Sequence, residues 1–248
     1  MNYLTGNYCA LVDIGKVRET NEDSAIGAAN AYGNILLVVA DGMGGANKGE
    51  YASSMAVKSL HKEFMNLEKE FVNEKQIMKW LNKVINEVND KIFAKANKNI
   101  EFKGMGTTLS VVVIVKNMMV TAQIGDSRIY SLKDNKLTQI SVDQTYATYL
   151  LHEKKISEQE VNIHKDRHKI TNALGTKKFV NIDINYFPYE GEKLLLCSDG
   201  LYNNVSSIII ESIIKGNDSI DKKCQQLIAF GNASGGSDNM AVVIWENK

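Results

Sequence analysis

Polar and apolar positions fall in blocks along this chain, and the sharpest block is residues 35–40. Ile35-Leu36-Leu37-Val38-Val39-Ala40 runs without a polar interruption, which predicts a strand buried on both faces. The run stops at a carboxylate and continues as Asp41-Gly42-Met43-Gly44-Gly45. Asp41 therefore stands at the mouth of a rigid element, where glycines let backbone atoms approach whatever the carboxylate holds. A first strand is predicted over residues 7–14, followed by a polar loop that carries Arg18, Glu22 and Asp23 up to the block at 35. Ala52, Met55, Ala56, Leu60 and Phe64 recur at helical spacing within residues 48–65, and Ile77, Leu81, Val84, Val88 and Ile92 mark a second amphipathic helix. Two successive helices between strands predict an antiparallel pair laid over one sheet.

The second half repeats the opening theme. Gly106-Thr107-Thr108 leads into the buried run 109–115, and residues 118–124 predict a strand that ends in Gly125-Asp126-Ser127-Arg128. Residues 129–132 and 137–140 flank Asp134-Asn135, a hairpin turn. Residues 141–181 are polar, hold His152, His164 and His168, and lack a long apolar run, so a mobile lid is expected at about 144–175. A strand at 183–187 precedes Leu194-Leu195-Leu196-Cys197-Ser198-Asp199-Gly200, a second strand ending in Asp-Gly. Residues 208–214 and 227–230 lie in helical segments, and a strand at 240–245 follows Gly236-Ser237-Asp238-Asn239. Without a repeat, linker or low-complexity run, residues 1–248 read as one domain.

Composition narrows the function class. Formal net charge is zero and only three residues are arginine, Arg18, Arg128 and Arg167, so the one-signed field that favours nucleic acid or an anionic membrane is missing. Three widely spaced cysteines with no CxxC fit reduced thiols better than a disulfide framework. The N-terminal residues lack the pattern of a signal peptide and no apolar run approaches a membrane span, so a cytoplasmic protein is expected.

Asp41, Asp126, Asp199 and Asp238 each lie where an apolar strand meets a Gly-containing loop, and Asp23 lies in a loop between strands. Brought together without partners, such carboxylates repel one another and are costly to bury. A hard divalent cation resolves the conflict, and all-oxygen ligation suits Mg²⁺ or Mn²⁺ rather than Zn²⁺. Taken singly, each reads better as an ordinary loop aspartate capping a turn.

The ordered set Arg18-x-x-Asn21-Glu22-Asp23, Asp41-Gly42-Met43-Gly44-Gly45, Gly106-Thr107-Thr108, Gly125-Asp126-Ser127-Arg128, Ser198-Asp199-Gly200-Leu201 and Gly236-Ser237-Asp238-Asn239 resembles the metal-dependent serine/threonine protein phosphatases (PPM family) in their compact bacterial form. The resemblance implies an α+β fold, a four-layer α-β-β-α sandwich of two antiparallel sheets flanked by helix pairs. It implies two core Mn²⁺ or Mg²⁺ ions held by Asp23, Asp41, Asp199, Asp238 and the Gly42 carbonyl, with Asp41 bridging. Asp126 with Asp199 would hold a third, weaker ion, Glu22 would act through water behind the ligands, and Arg18 would grip the phosphate. The implied reaction is hydrolysis of phosphoserine and phosphothreonine in proteins by a metal-bridging hydroxide. A monomer is expected, opposing a Ser/Thr kinase, with that kinase and its substrates as partners. Met43 stands where some members carry histidine, Gln144 where histidine is common and Asn172 where many bacterial members carry arginine. A silent phosphoprotein-binding domain and a two-metal nuclease are the competing readings. The full aspartate set argues against the first and the neutral charge balance against the second.

Overall fold

A computed structural model describes residues 6–44, 48–161 and 163–247. Gly45, the last residue of the Asp41 motif, lies outside the described residues. One sheet has five strands in the order β1 (Gly6–Asp13), β11 (Met240–Asn247), β10 (Lys193–Cys197), β7 (Arg128–Lys133) and β8 (Lys136–Gln139). The other runs β2 (Asp23–Ala29), β3 (Ile35–Met43), β5 (Leu109–Val115), β6 (Met118–Ile124) and β9 (Asp183–Pro188), with the short β4 (Gly106–Thr107) added against β3. Every pairing is antiparallel. Two long helices, α1 (Lys48–Met65) and α2 (Glu74–Lys98), cover the six-stranded sheet, and α6 (Ser207–Lys215) and α7 (Ile220–Ala233) cover the other.

The period of two in a strand explains the uninterrupted apolar runs. In β3, Leu36, Val38 and Ala40 face the helices, where Ala56, Leu60, Leu81 and Ile85 meet them. Ile35, Leu37 and Val39 face the opposite sheet, against Leu194, Leu196, Val243 and Trp245. A third core joins β10 and β11 to α6 and α7 through Cys197, Val242, Ile214 and Leu227. Three apolar layers thus hold four layers of structure, the sandwich that the family resemblance implies.

Four elements differ from the sequence reading. Residues 23–29 are a strand, not loop, so Asp23 is the first residue of β2 and lies directly across from Asp41. This strand escapes the pattern because DSAIGAA carries one large apolar side chain. Tyr8 occupies the space a side chain at Gly27 would need. The segment after β8 holds two short helices, α3 (Tyr146–His152) and α4 (Glu158–Val161), and its base is pinned by bridges Thr145–Ile170 and Thr107–Leu174. Leu174 is fully buried, an apolar anchor at the end of an otherwise polar stretch. A one-turn helix, α5 (Asp199–Tyr202), also starts at Asp199 without a signal in the apolar pattern.

Candidate active site

The motifs meet at one end of the sandwich because each ends or begins a strand there. Asp41 is held by its backbone: its N–H donates to Thr108 Oγ1 at 2.9 Å, and its carbonyl accepts from Thr107 Oγ1 at 2.9 Å and Thr108 N at 2.8 Å. The Gly-Thr-Thr motif is therefore a clamp on the strand end, with no side chain of its own in the chemistry. Gly42 must be glycine because an added Cβ would land on the Gly49 and Glu22 carbonyls. That close approach packs β3 against the start of α1, where the Gly49 N–H donates to Glu22 Oε1 at 3.1 Å.

Asp23 is buried, and its Oδ2 accepts from Ser198 Oγ at 2.6 Å. Burial pushes its carboxyl up to about 7; the Ser198 hydroxyl opposes that rise, and Asp199 and Asp238 add repulsion. Burial also pushes Asp41 well above the ordinary range, joined by repulsion from Asp23, Asp199, Asp126 and Asp238. Asp41 is close enough to both Asp23 and Asp199 to affect their titration. Asp199 is raised by burial and then by Asp238, while Asn203 Nδ2 donates to its Oδ2 at 3.2 Å. Asp126, 2% exposed, is pushed up to about 7 by burial and by Asp199, and its buried Oδ1 has no hydrogen-bond partner. Five carboxylates from five separate segments thus converge.

Asp238 reaches the group beside Arg18, whose Nη2 lies 2.8 Å from its Oδ2. Asn239 ties this loop to the Arg18 loop: its Oδ1 accepts from Glu22 N at 2.9 Å, and its Nδ2 donates to the Ile14 and Thr20 carbonyls. Arg18, Glu22, Asp23, Asp41, Gly42, Asp126, Asp199 and Asp238 are therefore drawn to one end of the sandwich. Among the described residues no three of the His, Cys, Asp and Glu side chains close to the spacing of a formed coordination sphere. The donors nonetheless fit a hard cation: every one is an oxygen, one is orphaned, and burial with mutual repulsion holds four out of the ordinary carboxylate range.

Sequence reasoning missed a supporting layer. Arg128 grips Asp143 with Nη2 and Nε at 2.8 and 3.0 Å from Oδ2, and lies 3.6 Å over the Tyr202 ring. The Tyr202 hydroxyl in turn donates to the Asp126 carbonyl at 3.0 Å. Scarcity of arginine and the place of Arg128 in the Gly125-Asp126-Ser127-Arg128 motif were the available signals. Gln144 Oε1 accepts from Gly125 N at 2.9 Å and from Asn172 Nδ2 at 2.7 Å, so the two atypical lid residues touch each other and the turn before Asp126. The three lid histidines separate: His168 lines a cavity with Tyr202 and Asn203, His152 lines a different hollow, and His164 Nδ1 accepts from Asp166 N.

Residues 16–239 match the family model described as protein phosphatase 2C. The chain is 36% identical to the serine/threonine phosphatase stp of Listeria welshimeri over 235 residues, covering 94% of this chain and 93% of that one. It superposes on the serine/threonine phosphatase of S. agalactiae with a TM-score of 0.90 at 31% identity, covering 98% of this chain and 100% of that one. The catalytic domain of the phosphatase PstP, solved in complex with two manganese ions, gives 0.85 at 32% identity, covering 98% of each chain.

Proposed function

From the premise that this chain belongs to the protein phosphatase 2C family and is a metal-dependent serine/threonine protein phosphatase acting on phosphorylated proteins, we propose how its own residues do the work. Asp23, Asp41, Asp199 and Asp238, with the Gly42 carbonyl, hold two core cations, and Asp126 with Asp199 holds a third more weakly. Mn²⁺ or Mg²⁺ is the expected ion, because the donors are hard oxygens. The observation that carries this reading is the desolvated aspartate cluster itself, whose members would expel one another in the absence of a compensating charge.

Cations bound there supply Lewis acidity toward the phosphoryl oxygens and bring a water's pKa down to about 7. The chain does the rest. Arg18 leaves Asp238 to take the phosphoryl oxygens in a planar, two-nitrogen grip. Its pair with Asp238 is largely exposed and such pairs contribute about 0–1 kcal/mol, so the exchange costs little. Glu22 orders the entry to α1 behind the ligands. Residues 144–175 act as a lid of this single domain, hinged at its pinned base. No helix among the described residues is long and apolar enough to cross a membrane, and a cytoplasmic monomer that reverses a Ser/Thr kinase is the setting this reading implies. The test is phosphate release from an aryl phosphate and a phosphothreonine peptide, with and without Mn²⁺. Turnover of both only with the metal supports the reading; turnover in chelator refutes it.

A further inference from the structure

Of the three arginines, Arg18 pairs with Asp238 and Arg128 with Asp143. Arg167 has no carboxylate partner among the described residues and is exposed on the lid. It stands on the wall of a cavity of about 190 Å³ whose lining includes Thr145, Thr148, Tyr202 and Asn203. Tyr202 and Asn203 are the residues that reach the Asp126 carbonyl and the Asp199 carboxylate, so this cavity opens directly beside the aspartate cluster. The hydroxyls of Thr145 and Thr148 lie 3.1 Å apart on it. Asp143 is the only carboxylate among the described lining residues, and Arg128 already matches it with two nitrogens. What is left is a guanidinium with no carboxylate partner among the described residues, on a wall it shares with two threonines, a lining that suits an oxyanion.

We propose that this cavity is a second anionic subsite, in which Arg167 takes a carboxylate or phosphoryl group that the substrate protein carries a few residues from the phosphorylated one. Arg167 is then a specificity-determining residue. The inference rests on the phosphatase reading above and deepens it. The phosphoryl group being hydrolysed is held on the Arg18 side, and the second anion fixes which neighbouring sequence lies over the lid. Lysine would supply the charge but not the planar fork.

The experiment compares three phosphothreonine peptides at saturating Mn²⁺: one with neutral flanks, one with aspartates a few residues away on either side, and one with a second phosphothreonine there. In the wild type, kcat/KM for an anionic peptide is expected to exceed that for the neutral one by about fivefold, mainly through KM, as one partly exposed ion pair allows. The ratio should fall to near one in Arg167→Ala, invert in Arg167→Glu and survive in part in Arg167→Lys. The aspartate and phosphothreonine arms tell which anion the cavity takes. A wild type that does not prefer either anionic peptide overturns the proposal. So does an Arg167→Ala that slows all three peptides alike with the ratio retained, since that marks a structural role. Failure of the phosphatase reading looks different: the wild type would release no phosphate even from the neutral peptide.

Discussion

At the scale of single residues, the account depends on what burial does to charge. Asp126 keeps a buried oxygen without a partner, and Asp23 and Asp41 face each other across adjacent strands. Like charges in direct cross-strand register destabilise a sheet, so this pair calls for a compensating charge. Arg18 is different, since it is open to solvent and pairs weakly. Arg18→Ala is expected to raise KM for an aryl phosphate by about tenfold with a smaller loss in kcat, because a phosphate grip acts partly on the ground state. An unchanged KM would remove Arg18 from the substrate site. Asp41, Asp126 and Asp199 were legible in the sequence because each follows an apolar run, and Asp238 because it precedes one, whereas Asp23, in a stretch with almost no apolar signal, was legible through the family motif. Ser198 and Asn239 stood inside the motifs, yet their work there, as donors that orient Asp23 and tie two loops, depends on contacts across more than 170 residues of chain.

At the scale of elements, the site is as rigid as the clamp on β3. Thr108 Oγ1 accepts from the Asp41 N–H and lies 2.8 Å from Ser127 Oγ, linking the Asp41 strand end to the turn that carries Asp126. Thr108→Val keeps shape but leaves a buried N–H without a partner, a loss of about 1–3 kcal/mol. Lower thermal stability together with weaker Mn²⁺ activation is the expected outcome. A variant as stable and as readily activated as wild type would show that the clamp is dispensable. Strands buried on both faces and the two long helices were legible because their apolar period is strong. β2 was not, since Ser24, Gly27 and three alanines give it almost no apolar signal, and its place depends on pairing with β3. The lid was legible only as a polar stretch. Its fixed base comes from the Gln144–Asn172 contact and the burial of Leu174, both set by distant residues.

At the scale of the whole molecule, two sheets and two helix pairs present five strand-end or loop carboxylates to one cleft, and the fold carries that strain unless cations relieve it. Asp23 and Asp126 are both pushed up to about 7 by burial, whereas an unfolded carboxyl titrates near about 4. The folded protein therefore holds these protons more tightly. Their contribution to stability is complete below about pH 4 and is lost as pH rises through about 7. In chelator, the melting temperature should fall from about pH 5 to about pH 8, and added Mn²⁺ should raise it more at the higher pH. A gap between chelated and Mn²⁺-loaded melting temperatures that is the same at both ends would contradict the assignment of these carboxylates as ligands. The central claim, that the Asp41-centred cluster holds the cations on which hydrolysis depends, is tested most directly by phosphate release from a phosphothreonine peptide as Mn²⁺ is titrated into wild type and Asp41→Ala. The expected result is a saturable rise from no release in the wild type and no release from the variant at any practical metal concentration. Near-wild-type, Mn²⁺-dependent release by Asp41→Ala would contradict it.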